Sequence, residues 1–122
     1  MDERPNILVV DDVAVNVTLI SCMFKKLPYN LYTAYSGDEA LKVMDSNDIN
    51  LVLLDIMMPE MAGYEVLQRI RNQESTKNVP VVMLSALNLH KDVEKAYELG
   101  ANDFISKPVV MPKLIATVKK FV

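Results

Sequence analysis

Five polar side chains stand at the ends of short apolar runs. Asp11 and Asp12 follow Ile7-Leu8-Val9-Val10, Asp55 closes Leu51-Val52-Leu53-Leu54, Ser85 closes Val81-Val82-Met83-Leu84, and Lys107 follows Phe104-Ile105-Ser106. If the runs are parallel strands, their C-terminal ends share one sheet edge, where open α/β sheets bind ligands. Carboxylates, a hydroxyl and an ammonium would then meet in one crevice. Two unit charges 4 Å apart repel by about 4 kcal/mol at an effective dielectric near 20. Three carboxylates therefore need a retained proton or a cation. Hard carboxylate oxygens suit Mg²⁺, which takes one or two carboxylates, waters and a phosphate oxygen. The neighbouring thioethers of Met57, Met58 and Met61 do not change that preference. A carboxylate can also attack phosphorus and form an aspartyl phosphate. Phosphoryl transfer asks mainly for positioning and charge neutralisation, which metal, lysine and hydroxyl can supply.

The elements that must position these groups alternate regularly. Strand-like runs at about 7–11, 30–34, 51–55, 81–84 and 103–106 alternate with helical periodicity, the pattern of an α/β fold with a parallel sheet. The third run is apolar at every position before Asp55, so both faces are covered and the strand is central. Helix 1 carries Leu19, Ile20, Met23, Phe24 and Leu27 on one face, with Pro28 near its end. Ser36 and Glu39 form a capping box that opens helix 2, whose buried stripe is Ala40, Leu41 and Met44. Helix 3 buries Val66, Leu67 and Ile70. Helix 4, about 91–99, turns Val93, Ala96 and Tyr97 inward and stops at Gly100. Its like-charged pairs Lys91–Lys95 and Glu94–Glu98 give it little support. Helix 5 starts near Pro112 and buries Leu114, Ile115, Val118 and Phe121.

Composition narrows the function classes. A chain of 122 residues with 51% apolar and 24% charged residues is expected to form one domain, spanning 1–122, with a single core. A net charge of −3 offers no electrostatic footprint for nucleic acid. No apolar run approaches the roughly 20 residues of a membrane span, and the start Met-Asp-Glu-Arg-Pro-Asn lacks a signal-peptide layout. The single cysteine, Cys22, excludes an internal disulfide, fits a reducing cytosol and reads as a structural thiol of helix 1. His90, isolated at the start of helix 4, reads as a surface residue.

Taken together, Asp11-Asp12, the segment Asp55-Ile56-Met57-Met58-Pro59-Glu60-Met61-Ala62-Gly63, Ser85-Ala86 and Lys107-Pro108, with Asn16 four positions after Asp12, resemble a response-regulator receiver domain of two-component phosphorelays. The match runs over nearly the whole chain. It implies a flavodoxin-like fold: five parallel strands in the order 2-1-3-4-5, flanked by five helices. It implies that Asp55 accepts a phosphoryl group from a histidine kinase or phosphotransfer protein, so the chain is a signalling phosphoacceptor rather than an enzyme. Asp12, Asp55 and the backbone carbonyl of Met57 would hold Mg²⁺, with Asp11 acting mostly through water. Lys107 would bind a phosphoryl oxygen, and the Lys107–Pro108 bond would be cis. Ser85 would move toward the phosphoryl group and Phe104 would turn inward with it. The output surface would be helix 4, strand 5 and helix 5, read by an attached output domain or an effector protein; homodimerisation on phosphorylation is an outcome the resemblance allows. The cytoplasm is the implied compartment.

The departures are mild. Ser85 stands where threonine is frequent, and Phe104 lacks the tyrosine hydroxyl, which weakens a two-position rotamer switch. Met57 and Leu87 flank the site, and two apolar residues there are expected to hinder attacking water. A haloacid-dehalogenase-type phosphatase would need a second acid two residues after the nucleophile, where this chain has Met57. In a flavodoxin-like electron carrier, Asp11 and Asp12 would repel the flavin phosphate.

Overall fold

The structure, a computed structural model, describes residues 4–58, 62–86 and 90–122. Strands β1 (Asn6–Val10), β2 (Asn30–Ala34), β3 (Leu51–Asp55), β4 (Val81–Ser85) and β5 (Asp103–Ser106) alternate with helices α1 (Ala14–Phe24), α2 (Gly37–Ser46), α3 (Gly63–Asn72), α4 (His90–Glu98) and α5 (Met111–Phe121). The strands form one parallel sheet in the order β2-β1-β3-β4-β5, the order the resemblance implies.

Strand periodicity divides the core in two. Ile7, Val9, Leu51, Leu53, Val82, Leu84 and Ile105 point to one face, where Ile20 and Phe24 of α1 and Leu114 and Val118 of α5 cover them. Leu8, Val10, Val52, Leu54, Val81 and Met83 point to the other, beneath Ala40 and Met44 of α2, Val66, Leu67 and Ile70 of α3, and Ala96 of α4. Coverage on both faces explains why β3 is apolar throughout.

Local chemistry fixes the helix ends. The Ser36 hydroxyl accepts from Glu39 N–H at 3.1 Å, opening α2. The Glu39 carboxylate reaches back to the N–H of Tyr35 at 3.3 Å, one residue before the cap where a capping box would place it. Gly100 adopts φ +106°, and the bonds Gly100 N–H to Tyr97 and Ala101 N–H to Ala96 complete a Schellman stop after α4.

Some helix faces differ from the periodicity reading. Helix α1 ends at Phe24, so Leu27 lies in the following turn; Val17, Ile20 and Phe24 are buried while Leu19 is 55% exposed. Tyr97 does not turn inward but stays 46% exposed, because its hydroxyl bonds the Asp103 carboxylate at the rim of β5. Cys22 lies on α1 as expected but faces solvent.

Arg71, at the end of α3, ties three segments together. Its Nε and Nη2 donate to the Gly100 carbonyl at 3.0 and 2.8 Å, Nη2 also to Asn102 Oδ1 at 2.7 Å, and Nη1 to the carbonyls of Val79 and Lys77 at 2.6 and 3.2 Å. These bonds engage all three guanidinium nitrogens, and every acceptor is neutral. Burial lowers the Arg71 pKa, as expected for a cation withdrawn from water. Arg71→Met keeps most of the apolar stem but leaves these acceptors unmet. It is expected to lower unfolding free energy by about 2–4 kcal/mol in urea titrations; a loss under about 0.5 kcal/mol would show the clamp to be dispensable.

Candidate functional site

The strand register builds the site. Val10 pairs with Leu54, so Asp11 falls beside Asp55. Asp11 continues the ladder through its N–H to the Ala34 carbonyl at 3.1 Å. Ile7-Val9-Asp11, Leu51-Leu53-Asp55 and Ile105-Lys107 are each in phase with the α1–α5 face. Each strand thus adds a polar group to the same side at the same edge, one step beyond its last apolar contact. Ser85 and Phe104 have the opposite phase, which they share with Met83 on the α3–α4 face.

Asp11 is fully buried and Asp55 is 4% exposed; Asp12 is the most exposed of the three acids. One carboxylate oxygen from each of Asp11, Asp12 and Asp55 lies within 4.8 Å of the others, a hard-oxygen donor set that fits Mg²⁺. Lys107 Nζ sits against Asp11 at 2.9 Å and Asp55 at 3.3 Å. The other Asp11 oxygen accepts from Val13 N–H at 2.9 Å. The N–H of Met57 bonds the Asp55 carboxylate, while the Met57 side chain is 60% exposed at the mouth. Met58 is buried in the core. The N–H of Lys107 donates to the Ser85 carbonyl at 2.8 Å, tying β5 to β4 at the site. Ser85 is buried, Phe104 half-buried, and the Lys107–Pro108 peptide is cis. Leu87 and the side chain of His90 lie outside the described residues.

The backbone beneath the site is tightly packed. A Cβ added at Gly63, the first residue of α3, would stand 2.3 Å from the Asp55 carbonyl oxygen and 2.7 Å from Ile56 Cα. Only glycine lets α3 start this close to the end of β3. Sequence periodicity alone does not reveal that constraint.

Charge and burial oppose each other here. Desolvation by burial, then the neighbouring Asp11 charge, raise the Asp55 pKa; Lys107 and the Met57 N–H offset them only in part. For Lys107, burial pulls its pKa down, but the hydrogen bond to Asp11 and the charges of Asp55 and Asp11 outweigh it, and the net shift is upward. The lysine is therefore a fixed cation at neutral pH.

Buried acids and one lysine thus meet at the C-terminal edge of a doubly wound parallel sheet, the edge where open α/β sheets bind ligands. The chain belongs to the response regulator receiver domain family, whose profile matches residues 7–119. A two-component response regulator of rice (Oryza sativa), ORR3, is 35% identical over 109 residues, covering 88% of this chain and 83% of that protein. A probable cyclic di-GMP phosphodiesterase of Vibrio cholerae is 41% identical over 108 residues, 88% of this chain; the chain spans 24% of that relative's length. Among solved structures, chemotaxis protein CheY4 of Vibrio cholerae superposes with a TM-score of 0.92 at 25% identity, covering 98% of this chain and 99% of the other. A receiver domain of Francisella response regulator 1452 does so with 0.89 at 30% identity, covering 97% and 96%. The chain is thus a receiver domain, a signalling domain of two-component systems. No described helix is long and apolar enough to cross a membrane.

Two outcomes test the site's physics. A raised Asp55 pKa means the folded state holds that proton more tightly than the unfolded chain does, so stability falls as pH rises from about 4 through the raised value. In chelator-treated buffer, Asp55→Asn is expected to melt above the wild type at pH 7, with the gap closing as pH falls toward 4. A gap independent of pH would contradict the assignment. Gly63→Ala is expected to destabilise by about 2–4 kcal/mol in chemical unfolding, since backbone rather than a side-chain tip stands in the way.

Proposed function

We propose that this domain is a Mg²⁺-dependent phosphoacceptor switch, with Asp55 as the acceptor and a histidine kinase or phosphotransfer protein as the donor. The observation that carries this reading is the meeting of nearly buried Asp55 with Asp11, Asp12 and Lys107 at one sheet edge. An Asp55 oxygen forms the new O–P bond as the donor's N–P bond breaks, and the donor imidazole departs as the leaving group. Asp12, Asp55 and the Met57 carbonyl would hold Mg²⁺, with Asp11 acting through water; when bound, the ion neutralises charge on the phosphoryl oxygens. Lys107, held between Asp11 and Asp55, neutralises a further oxygen. Asp11 accepts from both Lys107 and Val13, which keeps the lysine and the first loop in register with the acceptor. Asp55 draws its hydrogen bonds from Lys107 and the Met57 N–H, donors that fix its carboxylate plane for attack.

Ser85 and Phe104 carry the switch on the α3–α4 face, Ser85 donating to the phosphoryl group and Phe104 following it inward. The output surface is α4, β5 and α5. One carboxylate supports its coherence: Asp103 of β5 accepts from Tyr97 of α4 at 3.3 Å and Lys120 of α5 at 3.1 Å. An attached output domain, an effector or a second copy after phosphorylation would read that face. The working domain is residues 1–122, acting in the cytoplasm, and it has no catalytic turnover beyond its own phosphoryl transfer and loss.

Intact mass after incubation with acetyl phosphate tests the proposal. The expected result is a gain of one phosphoryl group that requires Mg²⁺, is lost with hydroxylamine and is absent in Asp55→Asn. A gain that persists in Asp55→Asn would overturn it.

A further inference from the structure

Helix α4 is held to the molecule differently from its neighbours. Among the described residues, Ala96 is its one buried side chain. By contrast, α3 buries Val66, Leu67 and Ile70, and α1 buries Val17, Ile20 and Phe24. A methyl group removes little apolar surface from water. The pairs Lys91–Lys95 and Glu94–Glu98 repel along the helix. Polar ties must therefore carry much of its placement.

Tyr64 makes one such tie. Its hydroxyl donates to the Asp92 carbonyl in the first half of α4 at 3.0 Å, and Lys95 Nζ lies 4.5 Å from the ring centroid. Burial, then the nearby Asp92 charge, raise the phenol pKa, so the hydroxyl remains a donor at neutral pH. The ring also packs on the α2–α3–α4 side of the core. At its other end Tyr64 is bonded to Gly63, which is pressed on the Asp55 carbonyl oxygen and donates to the Ile56 carbonyl at 2.8 Å. Backbone at Asp55, Gly63, the Tyr64 ring and the first half of α4 form one continuous line of contacts. That line passes through neither Ser85 nor Phe104.

We propose that Tyr64 is a strut that couples the Asp55 end of β3 to helix α4: a positioning residue that fixes α4 at rest and carries changes at Asp55 to it. The inference rests on the reading of Asp55 as phosphoacceptor. A small backbone displacement at Asp55–Ile56 has no slack at Gly63, so α3's first turn moves with it. The Tyr64 hydroxyl, anchored to the Asp92 carbonyl, then pulls on α4 directly.

Hydrogen exchange of the 92–99 amides tests this, with and without Mg²⁺ and beryllofluoride, a phosphoryl mimic whose uptake is read separately by ¹⁹F NMR. Tyr64→Phe keeps the ring and removes the hydroxyl; Tyr97→Phe removes a different α4 bond that does not lead to Asp55. Tyr64→Phe is expected to speed resting α4 exchange about fivefold, the worth of one neutral hydrogen bond, with α2 unchanged. It is also expected to cut the α4 response to the mimic to less than half, while Tyr97→Phe keeps the full response. An unchanged resting rate, or an undiminished response in Tyr64→Phe, overturns the strut. Failure of the wild type to take up the mimic counts against the phosphoacceptor reading instead, and the resting rates still decide the strut.

Discussion

The structure is organised around a charge problem at one sheet edge: carboxylates withdrawn from water beside a single lysine. Asp11 is fully buried and Asp55 nearly so, and desolvation together with the Asp11 charge disfavours the ionised form of Asp55. Lys107, 2.9 Å from Asp11 and 3.3 Å from Asp55, offsets part of that cost. The negative charge that remains is of the sign a bound cation would neutralise. Charge left uncompensated in this way lowers resting stability.

Everything else in the fold keeps that edge in place. Parallel pairing of β1 with β3, and of β3 and β5 with β4, sets the three strand ends level. Apolar residues on both faces then fix the register, because a slip of one residue would turn Asp55 and Leu54 to opposite sides. The close start of α3 on β3, possible because residue 63 is glycine, carries the site's backbone to the rest of the α3–α4 face. Arg71 closes the far end of that face with bonds to the carbonyls of Lys77, Val79 and Gly100. Between these two fixed points α4 has little apolar anchorage of its own, which makes it responsive to the few polar ties that reach it.

Much of this was legible in the amino-acid order. Continuous apolar runs ending in Asp11, Asp55 and Ser85 marked buried parallel strands and placed the polar groups at one edge. What the pattern could not provide was side-chain geometry in the regions between strands. Leu19 is in phase with a buried face by helical spacing, yet it is exposed because α1 turns Val17 and Ile20 to the sheet instead. Tyr97 falls with Val93 and Ala96 on the inward face by helical spacing, but the half-buried Asp103 carboxylate holds its hydroxyl at the rim. Arg71 and Tyr64 carry no local signature at all. Their partners lie 6 to 31 positions away for Arg71 and 28 away for the Tyr64 hydroxyl, so only the folded chain shows that they are ties. Gly63 is legible only as the end of the loop segment that follows Asp55, while the 2.3 Å approach that demands glycine there is not legible.

The proposed phosphoacceptor is Asp55 rather than Asp11 or Asp12. Reductive trapping tests it most directly. After incubation with a small phosphodonor and Mg²⁺, borohydride converts an aspartyl phosphate to homoserine, and peptide sequencing by mass spectrometry locates the converted residue. Homoserine at position 55, with 11 and 12 unchanged, is the predicted result. Homoserine at another position, or none in protein shown by mass to carry the phosphoryl group, would rule out Asp55 as the acceptor.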